Sequence, residues 1–353
     1  MAIHSEVDVH TRNTATPVSF NTSRVLWVPA IGALLYPWIL KAFNWAFTSP
    51  VAGGATSRSA FFSVVFLAAA LAVPLLALTL ATVSSRNSTP SLADMRARRY
   101  ALFVIGTPSA YVLLGVVLHM FKIDVNDVWI WTPVWLLLAL LAARTPAGDL
   151  PLRQGSTAVL RVAHGISGAV VTLFVLFHLG NHLAGLWGGE VHEAVADIGR
   201  KVYRALAIEP LLILAMFFQI VTGLKLAWTW SERAEDKYRM FQVASGVCIA
   251  MFALCHMNSV FIMARTILDI PTDYVFATGG GKMLPDPWAV RLFPHYTLGG
   301  FFVLAHLVSG LRVVMLAHGA NRSTVNALWW VGAAFSVLVS LTIMSALVGV
   351  RVV

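Results

Sequence analysis

Residues 164–178 read HGISGAVVTLFVLFH, and residues 242–256 read QVASGVCIAMFALCH. Each stretch is fifteen residues long, carries Ser-Gly at the same place (Ser167-Gly168, Ser245-Gly246) and ends in histidine, His178 or His256. Phe174 matches Phe252, and Leu176 matches Leu254. Both stretches are mostly apolar and sit in longer apolar runs, and a helix needs about 20 such residues to cross a bilayer. The whole chain agrees: 353 residues, 58% hydrophobic and only 12% charged, with mean hydropathy +0.76. A soluble domain carries about 25% charged residues and at most about 50% apolar ones. The composition therefore excludes a soluble globular protein and predicts an all-α, polytopic membrane helical bundle.

Nine runs are read as membrane spans: 25–47, 60–84, 100–121, 128–144, 162–187, 208–230, 241–266, 296–317 and 326–350. Residues 1–24 form a polar tail holding Glu6 and Asp8, unlike a cleaved signal peptide. The Pro- and Gly-rich segment 144–161, RTPAGDLPLRQGSTAVLR, divides a four-span region (25–144) from a five-span region (155–353). With the N-terminus cytoplasmic, the inside segments hold thirteen Lys and Arg against eight outside, the sense expected when basic residues set orientation. The formal charge of +9 is thereby explained without nucleic acid. Gly279-Gly280-Gly281 lacks the spacing and strand–helix setting of a nucleotide site and reads as a turn.

The repeat continues. The sixth and eighth spans carry QIVTGLK (Gln219 to Lys225) and HLVSGLR (His306 to Arg312), in which Gln219 stands opposite His306. The fifth and sixth spans and the seventh and eighth thus look like two copies of one hairpin, and parallel repeats commonly hold a site at their interface. His178 and His256 fall about 22–24 Å along their helices, in one layer toward the outside. Gln219 and His306 fall about 15–17 Å along theirs, in a layer nearer the middle. His182 and His295 join the first layer; His164 and His318 lie near the inner surface.

Ionisable groups inside a bilayer are costly and usually face a bundle interior or a functional path. Several histidines at matched depth suit axial ligation of a b-type haem, which takes one imidazole on each face. His178 and His256 can supply that pair, and Gly168 and Gly246 either leave room for a flat cofactor or let helices pack closely. Gln219 is a poor axial ligand, so one haem is expected rather than two. His306 is then free to hydrogen-bond Gln219 or to line a quinone pocket. Cys248 and Cys255 are the only cysteines, which excludes a disulfide framework or a four-cysteine metal site within this chain. With two histidines they offer an alternative, a Rieske-type [2Fe-2S] cluster, though buried cysteine also serves as a small hydrophobe. Arg161, His164, Lys225, Arg312 and His318 ring the inner ends, where they can donate to a quinone carbonyl, bind lipid phosphate or snorkel. Glu190, His192, Glu193 and Asp197 read as solvated loop polarity rather than a metal cluster.

Residues from about 155 to 350 resemble the five-helix cytochrome b membrane anchor of complex II, succinate:quinone oxidoreductase or fumarate reductase. The matching pieces are His164-x-x-Ser167-Gly168 with His178, Gln242-x-x-Ser245-Gly246 with His256, and His306-x-x-x-Gly310-x-Arg312. The resemblance implies cofactor contacts at His178, Gln219, His256 and His306, with His178 and His256 as iron ligands of a haem b. It also implies a quinone near His164, Ser167, Arg161 and Arg312. Flavoprotein and iron–sulfur partner subunits and a bacterial inner membrane go with it. Two departures stand out: Gln219 replaces a ligand, and Gly165 stands where the first motif often has Arg. The first 150 residues have no counterpart in the family. The leading expectation is an electron-transfer subunit passing electrons between an iron–sulfur partner and membrane quinone; the chain has no flavin fingerprint, so dehydrogenase chemistry would belong elsewhere. A stand-alone transmembrane b-type cytochrome and a non-redox, transporter-like protein are the alternatives.

Overall fold

The computed structural model describes residues 25–48, 57–86, 91–144, 157–233 and 235–352. The tail 1–24 and most of the dividing segment 144–161 lie outside these residues. Among the described residues the fold is all helical.

Four helical pieces precede the divide. They are α1 (Trp27–Thr48), α2 (Ser57–Ser84), the broken pair α3 (Leu92–Ile105) and α4 (Thr107–Met120), and α5 (Val128–Ala143). α1 and α2 pack closely because their shared face is small: Ala30, Ala33, Ala70, Ala77 and Ala81 are fully buried. A Cβ at Gly32 would stand 3.2 Å from Val73, the close approach that small residues permit in membranes. Ser91 and Asp94 cap each other to start α3. Gly106 and Pro108 then interrupt the run, and the axis bends by 60°.

Among the described residues, six helices are long and apolar enough to cross a membrane, or seven when the bent pair counts as one. The expected count of nine is not confirmed. Expected span 25–47 corresponds to α1, which is 22 residues long but diluted by Pro29, Pro37, Lys41 and Asn44. Expected span 128–144 is α5, whose 16 residues cover only about 24 Å of a core about 30 Å thick.

The second region has five long helices: α6 (Ala158–Ala184), α8 (Ile208–Trp230), α9 (Lys237–Met257), α11 (Leu292–Ala317) and α12 (Arg322–Leu347). Asp236 caps α9 and Asn321 caps α12 through side-chain oxygens. The five close a ring: α6 packs on α8, α8 on α9, α9 on α11, α11 on α12, and α12 returns to α6. The four N-terminal pieces pack outside this ring, chiefly against α9 and α11. Arg98 ties them on by donating to the carbonyls of Ser84, Ser231 and Arg233, and Arg291 adds an ion pair to Asp127 at 2.9 Å.

Two features depart from the expected pattern. Residues read as a polar loop form a helix, α7 (Gly189–Tyr203), with His192, Ala196 and Gly199 on its buried face. α9 also runs straight into eleven residues of π-helix, Asn258–Leu268, a wide form often found beside functional sites. A one-turn helix, α10 (Tyr274–Ala277), follows.

Candidate functional site

The ring of five helices encloses a cavity of about 1030 Å³, at the upper end of the ~300–1,000 Å³ usual for cofactor pockets. All five contribute: His164, Gly168 and His178 from α6, Gln219 from α8, Gly246 and His256 from α9, His306 and Gly310 from α11, and Ser340 from α12. Around Gly165 and Gly310 nothing lies within 4 Å of where a Cβ would stand.

The two repeats meet here, and their symmetry extends to side chains. Phe174 stacks on His178 at 5.5 Å and 20°, and Phe252 stacks on His256 at 5.6 Å and 9°. In the next layer Gly168 faces Gln219, at 3.5 Å from its ideal Cβ to Oε1, and Gly246 faces His306, at 3.2 Å to Cε1. The matched glycines are thus places where the opposite hairpin helix projects a polar side chain.

The ring centroids of His178 and His256 are 5.9 Å apart, with planes at 66°. Imidazoles that ligate one ion from opposite sides stand about 6 Å apart by centroid, since each metal–nitrogen bond is about 2 Å. Neither ring makes a hydrogen bond among the described residues. Every other cavity or near-cavity histidine is engaged. His182 Nδ1 lies 3.2 Å from His192 Nε2, and His295 Nδ1 lies 3.0 Å from Ser109 Oγ. His306 Nδ1 lies 2.9 Å from Ser245 Oγ, and His164 Nδ1 lies 2.8 Å from Thr222 Oγ1. The nitrogens of both rings are not among the buried polar atoms left without a partner, so they stay accessible to a ligand in the cavity, and two imidazoles at this separation are a donor set that suits a haem iron. The residues present fit a haem.

The Gln219 layer is closed on itself. Gln219 Nε2 donates to the His164 carbonyl at 2.8 Å. His306 bonds Ser245, not Gln219. Of the residues expected to meet a quinone, His164 and Arg161 line the cavity, whereas Ser167 and Arg312 do not. Arg312 turns the other way, donating to Asn326 Oδ1 at 2.9 Å and lying over the Tyr238 ring at 4.0 Å.

Cys248 and Cys255 are buried in two different apolar clusters. Neither lines the cavity, and among the described residues no three His, Cys, Asp or Glu side chains gather to hold a metal ion. Nothing in their placement favours a Rieske-type cluster.

Sequence reasoning missed the wall built by α7. His192 sits between Asn181 Nδ2 at 3.1 Å, His182 and Glu193 Oε1 at 3.3 Å. Burial holds its pKa below the ordinary histidine value, against a smaller upward pull from Glu193. Glu193 also accepts from the Tyr274 backbone N–H at 2.6 Å and pairs with Arg200 at 2.9 Å. The signal in the sequence was the helical spacing of Val191, Val195, Ile198 and Val202, beside that of His192, Ala196 and Gly199. Tyr296 was missed too; it stands 6.4 Å from His256, by ring centroid, on the cavity wall. Comparison with known proteins adds no relative: no family model, curated protein or solved structure matches this chain.

Proposed function

We propose that this protein is a membrane electron-transfer subunit resembling the cytochrome b anchor of complex II, holding one haem b between His178 and His256. The observation that carries the reading is the facing pair of imidazoles, 5.9 Å apart and without hydrogen-bond partners, inside a 1030 Å³ cavity. Haem b bound there supplies a one-electron carrier within the bilayer. The chain's own residues do the rest. Phe174 and Phe252 stack on the two imidazoles and fix their planes. Gln219 is committed to the His164 carbonyl, which favours one haem over two. Quinone contact is assigned to His164 and Arg161, the two expected residues on the cavity wall. Flavoprotein and iron–sulfur partners and a bacterial inner membrane with the N-terminus inside complete the proposal.

The test is a dithionite-reduced minus oxidised visible spectrum of the purified full chain, with haem counted per protein. A b-type α band at one haem per chain is expected, lost in both His178→Ala and His256→Ala. Absence of haem from chain made in haem-supplemented cells would refute the cytochrome reading. Haem retained by both variants would move the site elsewhere. Co-purification of flavin and iron–sulfur subunits separates the complex from a stand-alone cytochrome.

A further inference from the structure

At its His178 end the cavity is lined by three guanidinium groups, those of Arg200, Arg204 and Arg265. Two are neutralised. Arg265 pairs with Glu209 at 2.5 and 3.2 Å. Arg200 pairs with Glu193 at 2.9 Å and Asp197 at 2.8 Å. Arg204 pairs with no carboxylate among the described residues; it donates only to Thr272 Oγ1, at 2.8 Å. Arg200 also donates to the Thr272 carbonyl at 3.1 Å, and its Nε is buried with no acceptor. Both arginines are thus held by Thr272, and Arg204 alone keeps donor capacity toward the cavity it lines.

This end of the cavity is close to the candidate ligand. Tyr203, next to Arg204, packs edge-on against Phe174 at 5.3 Å, and Phe174 stacks on His178 at 5.5 Å. A single ring therefore separates the arginine-bearing end of α7 from the imidazole. An unpaired guanidinium beside an apolar cavity is stabilised by an anion, and a carboxylate meets its planar fork best.

We propose that Arg204 binds a carboxylate side chain of a tetrapyrrole whose ring lies in the cavity. The inference rests on the haem reading above and deepens it: it fixes which end of the macrocycle faces α7. It also gives α7, which the sequence disguises as a loop, a task in binding. A lipid phosphate is the other anion that could meet this guanidinium, and the experiment separates the two.

The full chain, stripped of cofactor in detergent, is titrated with iron protoporphyrin IX and with its dimethyl ester, followed by Soret absorbance. The free diacid is expected to bind about tenfold tighter than the ester, the worth of one charge-assisted hydrogen bond. Arg204→Gln is expected to erase that preference while leaving ester affinity unchanged, which also reports an intact fold. Arg204→Lys should keep part of the preference. Equal affinity of the wild-type chain for diacid and ester overturns the proposal and leaves the haem reading standing. Binding of neither porphyrin refutes the haem reading itself. Loss of co-purifying phospholipid from Arg204→Gln, with porphyrin affinities unchanged, assigns the arginine to a lipid headgroup and overturns the proposal.

Discussion

Gly299→Ala tests how tightly the packing behind His256 is set. A Cβ at position 299 would stand 2.2 Å from Phe252 Cε2 and 2.4 Å from Cδ2. Non-bonded carbons sit about 3.5–4.0 Å apart, so the ring must retreat by about 1.3 Å or more. It has little room, because it stacks at 9° on His256 and meets His295 at 4.6 Å by centroid. Overpacking of this kind costs about 1–3 kcal/mol, while alanine regains about 1 kcal/mol of helix propensity over glycine. The variant should lose up to about 2 kcal/mol. Gly180→Ala on α6 is the control, because nothing lies within 4 Å of its Cβ position. Propensity cancels between the two variants, so they should differ by about 1–3 kcal/mol. Thermal unfolding in detergent, followed by circular dichroism, reads this as a gap of several degrees. Haem content should fall only in Gly299→Ala, since the displaced ring carries His256 with it. Equal midpoints for the two variants, with equal haem content, would show that Phe252 is not confined and that the argument from its stacking is wrong.

The remaining predictions concern α7 and the Gln219 layer. His192 has a depressed pKa in the folded chain, so the unfolded chain binds its proton first. The stabilisation is complete above the ordinary value near 6.5 and is lost as pH falls from there toward the folded value. Thermal midpoints measured from pH 7.5 to 5 should decline, and His192→Gln should flatten the decline; an unchanged slope removes His192 as its source. The groups facing this imidazole are His182, Asn181, Glu193, Arg200, Asp273 and Tyr274. Gln219→His restores the repeat opposite His306, and haem per chain should rise from one to two. A ratio that stays at one shows that His306 remains held by Ser245.

The repeat was legible because its chemistry sits at fixed places in two apolar strings. Ser-Gly, Phe and terminal His recur, and the two stacked pairs Phe174–His178 and Phe252–His256 follow from them. The layer assignment, from rise per residue alone, brought His178 and His256 together. Helix phase was harder to read: Arg161 and Arg312 both sit at helix ends, yet Arg312 turns to Asn326 while Leu311 and Val313 face the cavity. α7 carries an apolar stripe at helical spacing, Val191, Val195, Ile198 and Val202, but its Glu190, Glu193, Asp197, Arg200 and Lys201 read as loop polarity, and its buried face of His192, Ala196 and Gly199 holds no large apolar residue. The third expected span was hidden in another way. Gly106 and Pro108 interrupt an apolar run without lowering its average, and only backbone geometry reveals the bend.

Near-symmetry makes the difference between the layers informative. Two copies of one hairpin give the same scaffold twice, with matched glycines at Gly168 and Gly246 and matched spacing to the polar residue beyond. Where the copies carry Gln219 and His306, each side chain finds a partner within the protein, the His164 carbonyl and the Ser245 hydroxyl. Where they carry His178 and His256, neither does. Evenly buried polar groups should be evenly satisfied unless something outside the chain satisfies some of them. The nitrogens of this pair are not sealed in protein; they stay accessible to a ligand in the cavity, which Arg204 also lines. A ligand with a cationic centre for the histidines and an acidic edge for the arginine would satisfy both at once, and an iron tetrapyrrole has that polarity.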